Sequence, residues 1–406
     1  MKTLLRVISA ATLGFGFVVA CSPVQFGMDT SKCEEVGETC VVDESGNYKF
    51  DYSVTAGGGK VDILIVNDNS ASMSFEQRAL ADRFNNFVQR LDQRKVDYRI
   101  AITTSDISNQ VSGGTEGNNP RAINQNGALQ DGRLITFGNG AKYLTPTTSN
   151  RVNLFRGAIE RPETKQCETF IANWVKANGI RSTELGSALQ TQYDQQYKVN
   201  CPSGDERGIY AANLVLNNNP DSFMRPDAYF VVIFLADENV RSNFFYAPVS
   251  EDRAGTFAQN FLNKYGTSKT MKAHAVVVKS DGCLTTQNSQ TLLDSSGAPV
   301  SATTGFVSGS KGNEFLGLTN AGWGVSVDIC SLNYTTALGD INTSIEDQIK
   351  DVRLLCANPQ DLQVSINGTP AAATGYSVSV VGNLLTINPK LAVGDQINLS
   401  YSCTSL

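Results

Sequence analysis

An α/β fold, with an open, doubly wound, mostly parallel sheet and a small all-β module at the C-terminal end, is the fold class this sequence predicts. Three observations predict it. Near-continuous apolar runs such as VDILIV (Val61 to Val66) and AYFVVIFL (Ala228 to Leu235) fit strands covered on both faces of a sheet. Segments able to form helices separate such runs, so β and α alternate along the chain. Beyond Cys356 the pattern changes to alternation of apolar and polar residues, the mark of strands with one wet face.

Composition narrows the function before any motif is read. With 406 residues, 41% hydrophobic and 18% charged, the chain is neither collagen, nor a disordered tail, nor a polytopic membrane protein. Acidic residues outnumber basic ones by 39 to 33, and no block of basic residues occurs, which argues against nucleic acid as a partner. His274 is the one histidine, so zinc sites with two or three imidazoles are excluded and a Ser-His-Asp or Cys-His centre is weakened.

The first element, residues 1–20, carries Lys2 and Arg6 ahead of an apolar stretch from Val7 to Val19, the layout of a secretory signal. That stretch is too short to span a bilayer. Val18-Val19-Ala20-Cys21 resembles a bacterial lipobox, which implies that Cys21 becomes the acylated, palmitate-bearing first residue of a lipoprotein. Ser22 follows where an inner-membrane lipoprotein would have Asp, so the resemblance implies an outer-membrane anchor, on the periplasmic or the cell-surface face. Without residues 1–20, and so without Lys2 and Arg6, the formal charge moves from -6 to -8.

Residues 21–59 are polar, hold Cys33 and Cys40, and end in Gly57-Gly58-Gly59, which reads as a stalk. Setting Cys21 aside leaves eight cysteines in an exported chain, an even number that suggests disulfides. Pairing neighbours joins Cys33 to Cys40, Cys167 to Cys201, Cys283 to Cys330 and Cys356 to Cys403; spacing alone does not choose among the alternatives.

The main domain is expected over residues 60–352. Val61 to Val66 is its first strand, and Phe75, Leu80, Phe84, Phe87, Val88 and Leu91 recur at helical spacing over 74–92. Further strands are expected at Tyr98 to Thr103, Ala228 to Leu235, Lys272 to Val278 and Gly324 to Ile329. The Gly-, Asn-, Gln- and Thr-rich stretch 106–166 reads as an edge hairpin with an irregular loop, and 281–320 as a flexible loop. Leu338, Ile341, Ile345 and Ile349 predict a closing helix over 338–352. The module 356–406 is small enough to need a staple, which Cys356 and Cys403 would supply.

The chemistry gathers at strand ends. The first strand runs into Asp68-Asn69-Ser70-Ala71-Ser72, a D-x-S-x-S pattern, and the run AYFVVIFL leads into Ala236-Asp237-Glu238. In open α/β sheets ligands bind beyond the carboxyl ends of the strands, so Asp68, Ser70, Ser72 and Asp237 are expected to face one crevice. An oxygen-only donor set suits a hard cation, Mg²⁺ or Mn²⁺, and not zinc. Two aspartates balance a dication formally, which leaves it able to take one more carboxylate.

With this pattern, residues 60–352 resemble the von Willebrand factor type A (VWA) domain with its metal-ion-dependent adhesion site (MIDAS), and VDILIVNDNSASM resembles the first strand of a group of bacterial lipoproteins. The resemblance implies a Rossmann-like fold and a metal held by Asp68, Ser70, Ser72, Asp237 and a middle-loop threonine, matched by Thr183 in STELGSAL through the spacing T-x-x-x-x-A-L. It also implies a protein partner that offers an acidic residue to the ion. The sequence departs from the family at Ala71, where Gly is common, at Asn67, where an apolar residue is common, and in the length between Thr183 and Asp237.

Other features read as structural. Glu238 caps or is solvated, His274 packs in an apolar run, and the S-x-x-K of Ser308 to Lys311 lacks its companion motifs. Phe244, Phe245 and Tyr246 suit an aromatic rim or a core equally well. No phosphate-binding G-x-x-x-x-G-K-[ST] loop occurs. The sequence therefore reads as a membrane-anchored, non-enzymatic, metal-dependent binding protein. The alternatives are an envelope scaffold and a metal-assisted hydrolase that would lack an evident general base.

Overall fold

The structure is a computed structural model that describes residues 40–55, 59–108, 129–178, 187–202, 206–241, 247–266, 269–303, 309–331, 338–345, 352–356, 358–382, 384–389, 391–392 and 394–404. Five parallel strands build the central sheet: β3 (Lys60–Asn67), β4 (Asp97–Thr104), β5 (Tyr229–Ala236), β6 (Met271–Val277) and β7 (Ser326–Asp328). Their order is β4-β3-β5-β6-β7. β3 is the strand from which the chain winds both ways, and it pairs in register with β4 on one side and β5 on the other. The fold class is the expected one.

Each face of this sheet is covered because side chains alternate along the strands. Ile63, Ile65, Ile233 and Leu235 pack against α1 (Ser74–Gln93), α2 (Arg151–Ile159) and a helix over 338–345. In α1, Leu80, Phe84, Phe87, Val88 and Leu91 form the buried stripe, and Phe84 stacks on Phe155 of α2. Leu64, Val66, Val232 and Phe234 point the other way, toward α5 (Gly208–Asn218), α6 (Ala254–Tyr265) and α8 (Asn313–Asn320). With no polar face left, β3 and β5 read as continuous apolar runs.

Two helices, α3 (Pro162–Asn178) and α4 (Ser187–Asn200), form a lateral lobe with its own aromatic core of Trp174, Tyr193, Tyr197 and Phe170, and Cys167–Cys201 bridges it. Three of the expected disulfides are present, the others being Cys283–Cys330 and Cys356–Cys403. Cys40 is disulfide-bonded as well, while Cys33 and Cys21 lie outside the described residues.

Three expectations need correction. The stretch 106–166 contains α2 and the start of α3 and no hairpin among the described residues; Leu144 makes only an isolated bridge to Ile100. The stretch 281–320 is not simply a loop. Ser280 caps α7 (Asp281–Gln287) by accepting from the Cys283 N–H, and Phe315 and Leu318 anchor α8 in the core. The third concerns the boundary of the stalk. β1 (Cys40–Val42) pairs with β2 (Tyr48–Thr55), and β2 pairs along its whole length with β13 (Gln396–Cys403).

The C-terminal β module is thus built from both ends of the chain. Its larger sheet runs β1-β2-β13-β9-β10, with β9 (Gln360–Ile366) and β10 (Thr369–Pro370), and its smaller one β11-β12-β8, with β8 (Val352–Arg353), β11 (Ser377–Val381) and β12 (Leu384–Asn388). Phe50 from β2 stacks on Tyr401 from β13 in a core with Leu385, Ile387, Ile397 and Leu399. The alternation seen in the sequence is the wet and dry faces of these strands. Closing a loop with a sequence separation of 47 residues contributes about 4 kcal/mol in the chain-entropy account. Replacing Cys356 and Cys403 by serine is therefore expected to speed amide hydrogen exchange in β2 and β13 by two to three orders of magnitude or so, and to leave β3 to β6 unchanged; unchanged exchange in β13 would show the bridge to be dispensable.

Candidate metal centre

β3 and β5 end level with each other, so the residues that follow them emerge side by side. Asp68 leaves β3 with its N–H donating to Leu235 O at 2.9 Å, and Asp237 follows β5 directly. The loop after Asp68 closes on itself: the Ser70 N–H donates to Asp68 Oδ1 at 2.8 Å, and the Ser70 and Ser72 hydroxyls lie 3.0 Å apart. Gln77 then fixes the turn from below, donating to Asp68 O at 2.9 Å and accepting the Arg161 N–H at 2.9 Å. Thr164 donates to Asn69 O at 2.8 Å, so the start of α3 holds the same loop from the side. Asn67 is buried because its amide donates to Ile159 O, which ties the strand to the end of α2.

Asp68 and Asp237 lie together beyond the ends of β3 and β5, with Ser70 and Ser72 on the loop that closes on Asp68. The structure adds a residue that the sequence reading missed. Glu206 stands just ahead of α5, and its carboxylate, with those of Asp68 and Asp237, presents oxygens within 4.8 Å of one another. Oxygens sharing one ion at about 2.1 to 2.4 Å stand no farther apart than this. Thr183, assigned the threonine position, lies outside the described residues. The signal for Glu206 was present: Glu206-Arg207-Gly208-Ile209-Tyr210-Ala211 opens a helix with the same spacing to its alanine as the T-x-x-x-x-A of Thr183. A search for a threonine passes over it.

Glu206 is held by its neighbours on both sides. Its carbonyl accepts the Arg241 N–H at 3.0 Å, and the Arg207 N–H donates to Ser105 O at 2.9 Å. The Arg207 side chain makes two hydrogen bonds of 3.0 Å to buried Asp252. Arg241 also lies beside Asp252, at 3.8 Å. Arg207 and Arg241, the two buried cations that adjoin Glu206 through the backbone, are thus both beside Asp252.

The electrostatics of the three carboxylates point one way. Burial raises the pKa of Asp68; burial and then the neighbouring Asp68 charge raise those of Asp237 and Glu206 well above the carboxylate range. Asp106, at the end of β4, is pushed up to about 7, chiefly by burial. Glu76 in the first turn of α1 is raised by burial too, although Gln287 donates to it at 2.8 Å. Asp68 Oδ2, Glu206 Oε2 and both oxygens of Asp237 are buried with no hydrogen-bond partner among the described residues. Buried polar atoms are rarely left this way, so the donor set fits a cation. A carboxylate and hydroxyl set with no nitrogen or thiolate is that of a hard ion. Cys283, Cys330 and Asp328 also lie close together, but the two sulfurs are joined in a disulfide.

The remaining candidates fall elsewhere. His274 is fully buried in β6, its Nδ1 accepts the Val325 N–H, and burial holds its pKa down at about 3. Lys311 pairs with Asp281 at 2.7 Å, while Ser308, Phe244, Phe245 and Tyr246 lie outside the described residues. Phe75, one turn beyond Ser72, is exposed.

No family model matches the chain, and no curated protein matches it. Solved structures do. The pilus adhesin SpaC from Lactobacillus rhamnosus GG, in an open conformation, is 12% identical with a TM-score of 0.35 over 88% of this chain and 42% of that one. A von Willebrand factor type A structure from Catenulispora acidiphila is 11% identical, TM-score 0.34, over 88% and 60%. Proximal thread matrix protein 1 from the mussel byssus, with a zinc-occupied MIDAS motif, is 10% identical, TM-score 0.33, over 76% and 52%. The chain spans about half the length of these proteins. Its fold class follows from the strand order itself.

Two predictions follow from the buried charges. Because Asp68, Asp106, Asp237 and Glu206 have raised pKa values, the folded chain binds more protons than the unfolded one between about pH 4 and pH 7, so stability falls as pH rises through that window. Carboxylates whose pKa is lowered, such as Asp227, act below that window, and His274, held down at about 3, offsets one of these protons below about pH 6.5. The melting temperature in EDTA is expected to drop between pH 5 and pH 7.5 or so, and saturating Mg²⁺ to lessen the drop; a flat profile in EDTA would contradict it. Asp252→Ala, which strands Arg207, is expected to cost about 3 to 5 kcal/mol in denaturant unfolding.

Proposed function

We propose that this chain is a divalent-metal-dependent protein-binding protein of the adhesion type, whose centre is built from Asp68, Ser70, Ser72, Asp237 and Glu206. The observation that carries this reading is the meeting of three buried carboxylates, with unpartnered oxygens, at the point where the sheet winds both ways. A hard dication bound there, Mg²⁺ or Mn²⁺, would offer Lewis acidity to an oxygen ligand on a partner. Asp68 and Asp237 would anchor it from the ends of β3 and β5. Ser70 and Ser72, nearer the surface, would complete the set from the outer side.

The same reading includes a tether. Cys21, as an acylated first residue, would attach the chain to the outer membrane, and the β module would stand between the anchor and the metal domain, since β1 and β2 belong to it. No helix among the described residues is long and apolar enough to cross a membrane. A role as an envelope scaffold differs only in where the partner comes from.

Calorimetric titration of Mg²⁺ and Mn²⁺ into the oxidised chain from Ser22 onward tests the centre. Saturable binding is expected in the wild type, with loss of at least ~100-fold in affinity in Asp68→Ala and Asp237→Ala while both stay folded by circular dichroism. A folded wild type that binds neither ion would sink the proposal. Partner capture that survives EDTA would reject the metal as the bridge.

A further inference from the structure

We infer that Glu206 acts as an internal acidic ligand, so that the loaded centre receives a neutral oxygen donor from its partner, such as an amide carbonyl or a hydroxyl, and rejects a carboxylate. The inference rests on the metal reading and revises the partner chemistry that the sequence implies.

Charge carries the argument. With Asp68 and Asp237 alone, a dication is formally balanced, and its open position attracts an acidic group. Glu206 brings a third charge to oxygens within 4.8 Å of the other two, so the loaded centre carries a net formal charge of about -1. Two more acids stand close by. Glu76 is buried, its Oε2 has no hydrogen-bond partner, and it acts electrostatically on Asp237; Glu238 acts on both Asp237 and Glu206. Arg207 and Arg241 lie beside Asp252, and Arg207 is held there by two hydrogen bonds. An incoming carboxylate would meet like charge in a water-poor site, where repulsion is weakly screened.

Geometry fixes the backbone that carries the third ligand. Glu206 is flanked by the Arg241 N–H on its own carbonyl and by an antiparallel bridge to Asp106, which includes the Arg207 N–H on Ser105 O. The bidentate Arg207–Asp252 pair pins the next residue at the entrance to α5. Moving the Glu206 backbone away from the two aspartates would require breaking these contacts together, so an outside acid would have to displace the carboxylate by side-chain rotation within a buried site. Its Oε2, buried and unpartnered, has the ion as its natural partner.

The test uses Mn²⁺ as a probe of its own coordination in the oxidised chain from Ser22 onward, alongside Glu206→Gln and Glu206→Thr. Each protein is titrated with Mn²⁺ and then with acetate, and water-proton relaxation reports the exchange of water on the bound ion. Mn²⁺ affinity is expected to fall about 10- to 100-fold in both variants. Acetate is expected to leave the wild-type relaxivity unchanged and to lower it saturably in Glu206→Thr, where the internal acid is gone. Wild-type Mn²⁺ affinity in both variants, or saturable acetate capture by the wild type, would overturn the inference and leave the metal centre standing. Absence of Mn²⁺ binding in the wild type would overturn the centre and the inference together.

Discussion

Three carboxylates buried at one spot set the terms for the rest of the α/β domain. Asp68, Asp237 and Glu206 hold more negative charge than their hydrogen bonds satisfy, and the sheet beneath them is covered on both faces by apolar side chains. Protons or a cation must join them, because isolated buried anions are among the costliest groups a protein can carry. The surrounding structure resists their separation: β3 and β5 are locked in register over seven residue pairs, and Gln77 and Thr164 clamp the loop after Asp68. Strain or disorder in any of these supports would let the carboxylates part and find water.

The same constraint explains the polar residues deep inside the domain. Asn67, Gln77, Thr164, Arg207 and Asp252 look out of place in an interior, yet each fixes a segment that carries a carboxylate or flanks one. Arg207 and Asp252 pair with each other, so the positive charge beside Glu206 in the sequence is engaged by an anion of its own. Chemistry is thereby separated from sequence proximity. The lateral α3–α4 lobe joins this scheme through Thr164, which links a disulfide-stapled aromatic core to the loop of the centre.

The β module follows a different logic. Its core is small, and its alternating strands bury one side only, so it depends on recruiting β2 from the N-terminal side and on the Cys356–Cys403 bridge. A segment that reads as a stalk because it is polar and ends in three glycines contains an interior strand, β2, once β13 pairs with all eight of its residues. The chain leaves the module after β2, an interior strand of the larger sheet, and returns at β8, an edge of the smaller one, so the α/β domain is an insertion between β2 and β8 of the module.

The sequence by itself determined what local pattern can encode. Continuous apolar runs identified β3 and β5, helical spacing identified α1, alternation identified the β module, and the short motif with Asp237 identified four residues that meet at the centre. Neighbouring cysteines also pair as their order suggests. Tertiary structure alone decided the rest. Glu206 is 138 residues from Asp68 in the numbering, and only the docking of α5 over β3 and β4 brings it to the aspartates. β2 joins β13 across nearly the whole chain, and α7 and α8 form within a stretch of loop-like composition because a disulfide and two buried side chains hold them. Periodicity reports which way a side chain faces along its own element; which elements become neighbours is settled by long-range packing, and the charge of the centre depends on that packing.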